Sequence, residues 1–210
     1  MNWHSKKRGY HHGNLREALL AAALGLISEK GAGGFTFAEA ARAAGVSAAA
    51  PYRHFRDRDA LLAEVARQGF DIFARGLEAA WADGRPNARA AFKRLGAAYL
   101  AFARDEPAYF AAMFEAGLGF ADHPGLKEAG DRAFAILRTA CEAIVAMLPE
   151  GRRPPAMMMA LHIWSLSHGI AALFARGDGA RRPIPMSADD LLEAAVLIYL
   201  EGLGADAAGT

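Results

Sequence analysis

Three groups of side chains in this sequence have types and spacings that could do chemistry. Tyr52, Arg53 and His54 stand side by side with Arg58 four residues on, combining hydrogen-bond donors, rings and fixed positive charge. Such a set suits phosphate oxygens, and an arginine among them can reach the O6 and N7 atoms of guanine bidentately. Cys141, His162 and His168 supply one thiol and two imidazoles, the raw material of a nucleophile or a zinc site. Tyr99, Phe102, Tyr109, Phe110, Phe114 and Trp164 supply large rings with a few polar tips, which fits either ordinary core packing or the wall of an apolar pocket.

The second group does not assemble into a reactive site. His162 and His168 are six residues apart, which places them on different faces of one helix, and Cys141 is the single cysteine. No ligand spacing for zinc results, and no cofactor is expected. No nucleophile with base and orienting partner, no carboxylate pair and no phosphate-cradling glycine loop is visible, so a helical enzyme is the weakest reading. Trp164 and His168 are four apart and can stack. Met157, Met158 and Met159 form an adaptable apolar patch of the kind that fills a core or an interface.

The charge distribution favours the first group. Residues 1–60 carry nine Lys or Arg against five Asp or Glu, while the other 150 residues carry 15 against 18. A basic N-terminal quarter on a mildly acidic body suggests one part that meets a polyanion and another with a different task. With 53% hydrophobic and 22% charged residues, the 210-residue chain can bury a substantial core. No uninterrupted apolar run approaches the roughly 18–20 residues of a membrane span, and the segment MNWHSKKRGYHHGN lacks a secretion signal's apolar stretch. A soluble cytoplasmic protein without membrane attachment is expected.

The elements that must position these groups read as helices almost throughout. Asn14 and Glu17 form a capping-box variant opening LREALLAAALGLISEK, which Gly31 can close. Thr36 caps FAEAARAA ahead of Gly45, and Ser47 is expected to cap a third short helix through about Phe55. Pro51 falls at the fourth position after that cap, where one early hydrogen bond is lost, so the helix is expected to survive with a distorted first turn. Asp57 opens a fourth helix over about 58–82. Further helices are expected at about 88–104, 107–116, 126–148, 156–175 and, capped by Ser187, through about Leu203. The expectation is an all-α protein of about nine helices.

The N-terminal elements form a helix, a short helix, a glycine turn and another short helix. That is the order of a helix-turn-helix, which presents the start of its second helix, here Ser47, Ala48 and Ala49, to the major groove. The ordered residues Gly31, Thr36, Phe37, Glu39, Ala41, the run Ala44, Gly45, Val46, Ser47, then Tyr52, His54, Phe55, Asp59, Leu61 and Leu62 resemble the TetR family of transcriptional regulators over about residues 13–62. KKRGYHHGNLREALL with APYRHF, and Trp164, His168 and Gly169 further on, resemble one branch of it. The chain departs from the common pattern at Ala50 and Pro51, often threonine and leucine, and at Arg58, often lysine.

The resemblance implies a helix-turn-helix DNA-binding domain over 1–60 with a basic arm, and a helical ligand-binding and dimerisation domain over 61–210. It implies phosphate contacts from Thr36, Tyr52, His54 and Arg58. Arg53 is left to read bases, Ala48 and Ala49 can offer only methyl groups, and Lys7 and Arg8 of the arm reach the adjacent backbone or minor groove. It implies a pocket within the fourth to eighth helices for a partly apolar small-molecule effector, for which the scarce polar and aromatic candidates are Tyr99, Phe102, Tyr109, Phe110, Phe114, Cys141, His162, Trp164 and His168. It also implies a homodimer through the last two helices, bound to a double-stranded, pseudo-palindromic operator as a ligand-released repressor. An architectural DNA-binding protein without a small ligand is the alternative, distinguished by whether the core is packed solid.

Overall fold

In the computed structural model, residues 15–175 and 184–204 are described. The arm residues Lys7 and Arg8 and the proposed cap Asn14 therefore lie outside the described residues.

The first helix, α1 (Leu15–Lys30), buries Leu19, Leu20, Ala23, Leu26 and Ile27, the spacing of a single helical face. Gly31, at φ +78°, ends it, its N–H reaching the Ile27 carbonyl oxygen at 2.8 Å. Helix α2 (Phe37–Ala43) starts on a reciprocal capping box. The Thr36 hydroxyl accepts from the Glu39 N–H, and the Glu39 carboxylate accepts from the Thr36 N–H at 2.7 Å. Gly45, at φ +76°, makes the turn that follows.

The third element differs from the helix expected. Residues Ala50–Arg53 form a four-residue 3-10 turn whose N-terminal flank, Ala49, has no side-chain cap. In an α-helix capped at Ser47, the N–H of residue 51 would bond the Ser47 carbonyl, but Pro51 has none. The Ser47 oxygen instead accepts from Ala50 N–H at 3.0 Å, the tighter 3-10 pattern. Fully buried, Pro51 anchors the turn.

Helix α3 (Arg58–Trp81), capped by Asp57, is the axis of the molecule and packs on α1, α4 (Ala88–Asp105), α5 (Pro107–Phe114) and α6 (Pro124–Met147). At Gly69 it meets α5 so closely that a Cβ would lie 2.8 Å from Met113 Sδ and 3.2 Å from Tyr109 Cβ. Helices α7 (Ala156–Ala175) and α8 (Ala188–Gly202, capped by Ser187) close the body against α4 and each other. Among the described residues there are eight α-helices and no strand, and the buried apolar residues of the N-terminal elements and the body form one connected cluster.

His162, Ser165, Ser167, His168 and Gly169 interrupt the apolar run in α7, yet 156–174 is long and apolar enough in length and composition to cross a membrane. Only a third of that stretch is buried within the chain. Met157, Met158, Leu161 and Leu173 are exposed on α7, and Leu197 and Ile198 on α8.

Candidate DNA interface and core cavity

Thr36, Ser47, Ala48, Ala49, Tyr52, Arg53 and His54 are all exposed, and they come from the two short elements and the turn between them. Tyr52 is 64% exposed, yet its ring is held edge-on to Phe37 at 5.1 Å, which fixes the direction of the phenol. Behind this surface Phe55 is buried, with the Arg16 guanidinium of α1 5.4 Å above its ring. The Thr36 hydroxyl is engaged with Glu39.

Arg58 points elsewhere. Its Nε donates to the Phe35 carbonyl oxygen at 2.7 Å, another N–H donates to the Ala32 carbonyl oxygen, and the guanidinium lies 4.8 Å over the Phe35 ring. The side chain joins the loop before α2 to the first turn of α3.

Arg16 also begins a run of ion pairs that the sequence reading missed. It bonds Glu64 at 2.8 Å, Glu64 bonds Arg67, Arg67 reaches Asp71 at 2.6 Å, and Asp71 receives Arg132 of α6 at 2.8 Å. Burial raises the Glu64 carboxyl, but hydrogen bonds from Arg67 and Arg16 outweigh it and leave its pKa at about 2. The only sequence signal is the spacing of Glu64, Arg67 and Asp71 on one helical face.

The body contains a cavity of about 760 Å³ that is open to solvent. Of the nine residues expected to face a ligand, Tyr99, Phe114 and Trp164 line it. Phe70, Phe73 and Leu77 of α3, Phe134 of α6, Ser167 of α7, and Leu192, Val196 and Leu200 of α8 line it as well, none of them among those nine. The spacing of the α3 and α8 residues marks a buried face, without showing that the face borders a void. The other six candidates lie off the wall. Phe102 packs on Phe73 at 4.9 Å, and Phe110 stacks on His168 at 5.4 Å behind Tyr99. Tyr109 faces the α3 contact at Gly69. Cys141 is fully buried, which pushes its thiol up to about 12 and leaves it an inert packing group. His162 is exposed and bonds the Tyr199 hydroxyl at 3.1 Å, joining α7 to α8.

At the wall, Tyr99 Oη lies 3.0 Å from His168 Nδ1, and the rings of Trp164 and His168 are 5.9 Å apart. Burial pushes the Tyr99 phenol well above its ordinary pKa, with a side-chain hydrogen bond from Trp164 opposing in part, so the phenol stays neutral. Among the described residues no group of three His, Cys, Asp or Glu side chains could hold a metal ion.

Two family descriptions match the chain. Residues 19–65 match "Bacterial regulatory proteins, tetR family" and residues 92–199 match "Tetracyclin repressor-like, C-terminal domain". A Rhodococcus sp. RHA1 protein of unknown function is 34% identical, with 93% of this chain and 98% of that one covered and a TM-score of 0.75. The TetR family transcriptional regulator PfmR from Thermus thermophilus is 22% identical, with 84% and 93% covered and a TM-score of 0.64. The fatty acid degradation regulator FadR from Bacillus halodurans has the same fold at 12% identity, with 85% and 90% covered and a TM-score of 0.64. No curated protein matches.

Proposed function

Because the chain belongs to the TetR family of bacterial transcriptional regulators, which bind DNA and are not enzymes, we propose that it is a homodimeric repressor released from its operator by a small molecule held in the core cavity. The observation that carries this reading is the span of α3. Its first turn is tied to the helix-turn-helix through Arg58 and Phe35, and its later turns place Phe70, Phe73 and Leu77 on the cavity wall. A ligand that fits better when α3 is tilted shifts the two heads away from the spacing the operator needs, and operator affinity falls by that difference.

On this reading residues 1–60 contact DNA and 61–210 bind ligand and partner. Tyr52, His54 and Thr36 hold phosphates, Arg53 reads bases, and Ser47, Ala48 and Ala49 approach the groove floor with small side chains. Lys7 and Arg8 of the arm add backbone contacts. Arg58 positions the head from within. The exposed apolar faces of α7 and α8 support pairing with a second copy, since a row of six large apolar side chains open to water is the composition of an interface core. Covering that face accounts for an apolar α7 without a membrane, and the protein works in the cytoplasm where its DNA lies.

Selection of bound duplexes from a random pool, followed by release assays with a panel of small molecules, tests the proposal. A two-fold symmetric site released by at least one cavity-binding compound is expected; compounds that bind the protein while leaving operator affinity unchanged would overturn the switch.

A further inference from the structure

We infer that the effector is an uncharged, mostly aromatic or alicyclic molecule that carries a hydrogen-bond donor such as a hydroxyl group. This rests on the reading of the cavity as the effector site.

Among the described residues the lining holds six charged side chains, Arg89, Lys93, Asp131, Asp189, Glu193 and Glu201, and every one is exposed, at the mouth. There Lys93 is joined to Glu193 at 2.6 Å and Asp131 to Lys127. Further in, an ionised group of either sign loses its water and finds no counter-charge, so burying it is unfavourable. Phe70, Phe73, Phe134 and Trp164 instead offer ring faces and edges to a flat or cyclic body.

Among the described residues, polar side chains in the interior of the wall are few. The Ser167 hydroxyl, only 3% exposed, donates to the Ile163 carbonyl oxygen at 2.9 Å. The Tyr99 hydroxyl and His168 Nδ1 meet at 3.0 Å. With its hydrogen on the Ile163 carbonyl oxygen, Ser167 Oγ offers a ligand lone-pair density. A ligand hydroxyl or N–H can donate to it, whereas a ligand carbonyl or ether cannot.

Calorimetric titration of the full-length protein with four probes sharing one body tests this: para-propylphenol, its methyl ether, para-propylbenzoate and para-propylbenzylamine. The phenol is expected to bind about tenfold more tightly than the ether, the gain of one hydrogen bond, and the two ionised probes to bind weakest. Ser167→Ala should close the gap between phenol and ether while leaving the melting temperature close to that of the parent. Equal binding of phenol and ether, or a benzoate or amine that binds as tightly as the phenol, overturns the assignment. So does silence from all four, in which case the cavity reading is judged separately by the operator-release panel. Leu137→Trp narrows the cavity from α6; Leu137→Phe replaces it if the tryptophan variant melts early. Phenol binding that persists unchanged in the narrowed variant overturns the cavity reading itself, whereas binding lost there with ether equal to phenol removes only the donor requirement.

Discussion

The Arg58 guanidinium lies 4.8 Å over the Phe35 ring while its Nε donates to the Phe35 carbonyl oxygen at 2.7 Å, so the side chain that family likeness assigns to DNA is folded back on its own protein. Lysine keeps the charge but cannot serve two carbonyl groups and a ring from one planar head. Arg58→Lys is therefore expected to lower stability by about 1–3 kcal/mol, read from denaturant unfolding. The slope of log affinity against log salt on operator DNA should stay unchanged. A slope reduced by about one would return Arg58 to the phosphate contacts.

Arg53 is the exposed cation on the 3-10 turn, and the proposed function gives it the base-reading role. Arg53→Ala is expected to relax preference at one base pair by about 1–3 kcal/mol in competition binding. Tyr52→Phe and His54→Ala should weaken all sequences alike, since phosphates carry no sequence information. If Arg53→Ala also weakens every site equally, Arg53 belongs with the phosphate contacts.

Local signals make most helices legible, and their failures have local or distant causes. Thr36, Asp57 and Ser187 accept from their own helices as their types suggest, and Gly31 and Gly45 take the positive φ that ends the patterns. Pro51 costs one hydrogen bond on paper, but in so short a segment that bond decides between an α-helix and a 3-10 turn. Arg58 turns on carbonyl groups 23 and 26 residues away, which no motif displays. The cavity joins Phe70 to Leu192 across more than half the chain, and periodicity marks both as buried without distinguishing a packed neighbour from a void.

Glu64 makes the α1 contact sensitive to acid. Its pKa in the folded protein is about 2, below the ordinary 4.5, because the pull of Arg67 and Arg16 outweighs burial. A depressed carboxyl contributes stability that is complete above pH 4.5 and disappears as pH falls toward 2. Thermal melts between those limits should show the parent losing stability more steeply than Glu64→Gln, which has no proton to gain. Parallel curves for the two proteins would remove Glu64 from the acid response.

Ile198, 70% exposed, and Leu197, 50% exposed, lie on α8 beside the open apolar face of α7, where Leu161 and Leu173 are also exposed. A charge placed at the centre of a self-complementary interface is buried twice, once from each copy, and faces its own mate across the two-fold axis. Ile198→Glu is therefore expected to convert a species with the mass of two chains into one with the mass of a single chain in sedimentation equilibrium. Helix content should be kept, because Ile198 contributes little to the chain's own core. Operator affinity should fall by several orders of magnitude as paired half-site binding is replaced by one head. A dimer that persists in Ile198→Glu and also in Leu197→Glu would place the interface on another face and leave the apolar surface of α7 and α8 to a different partner.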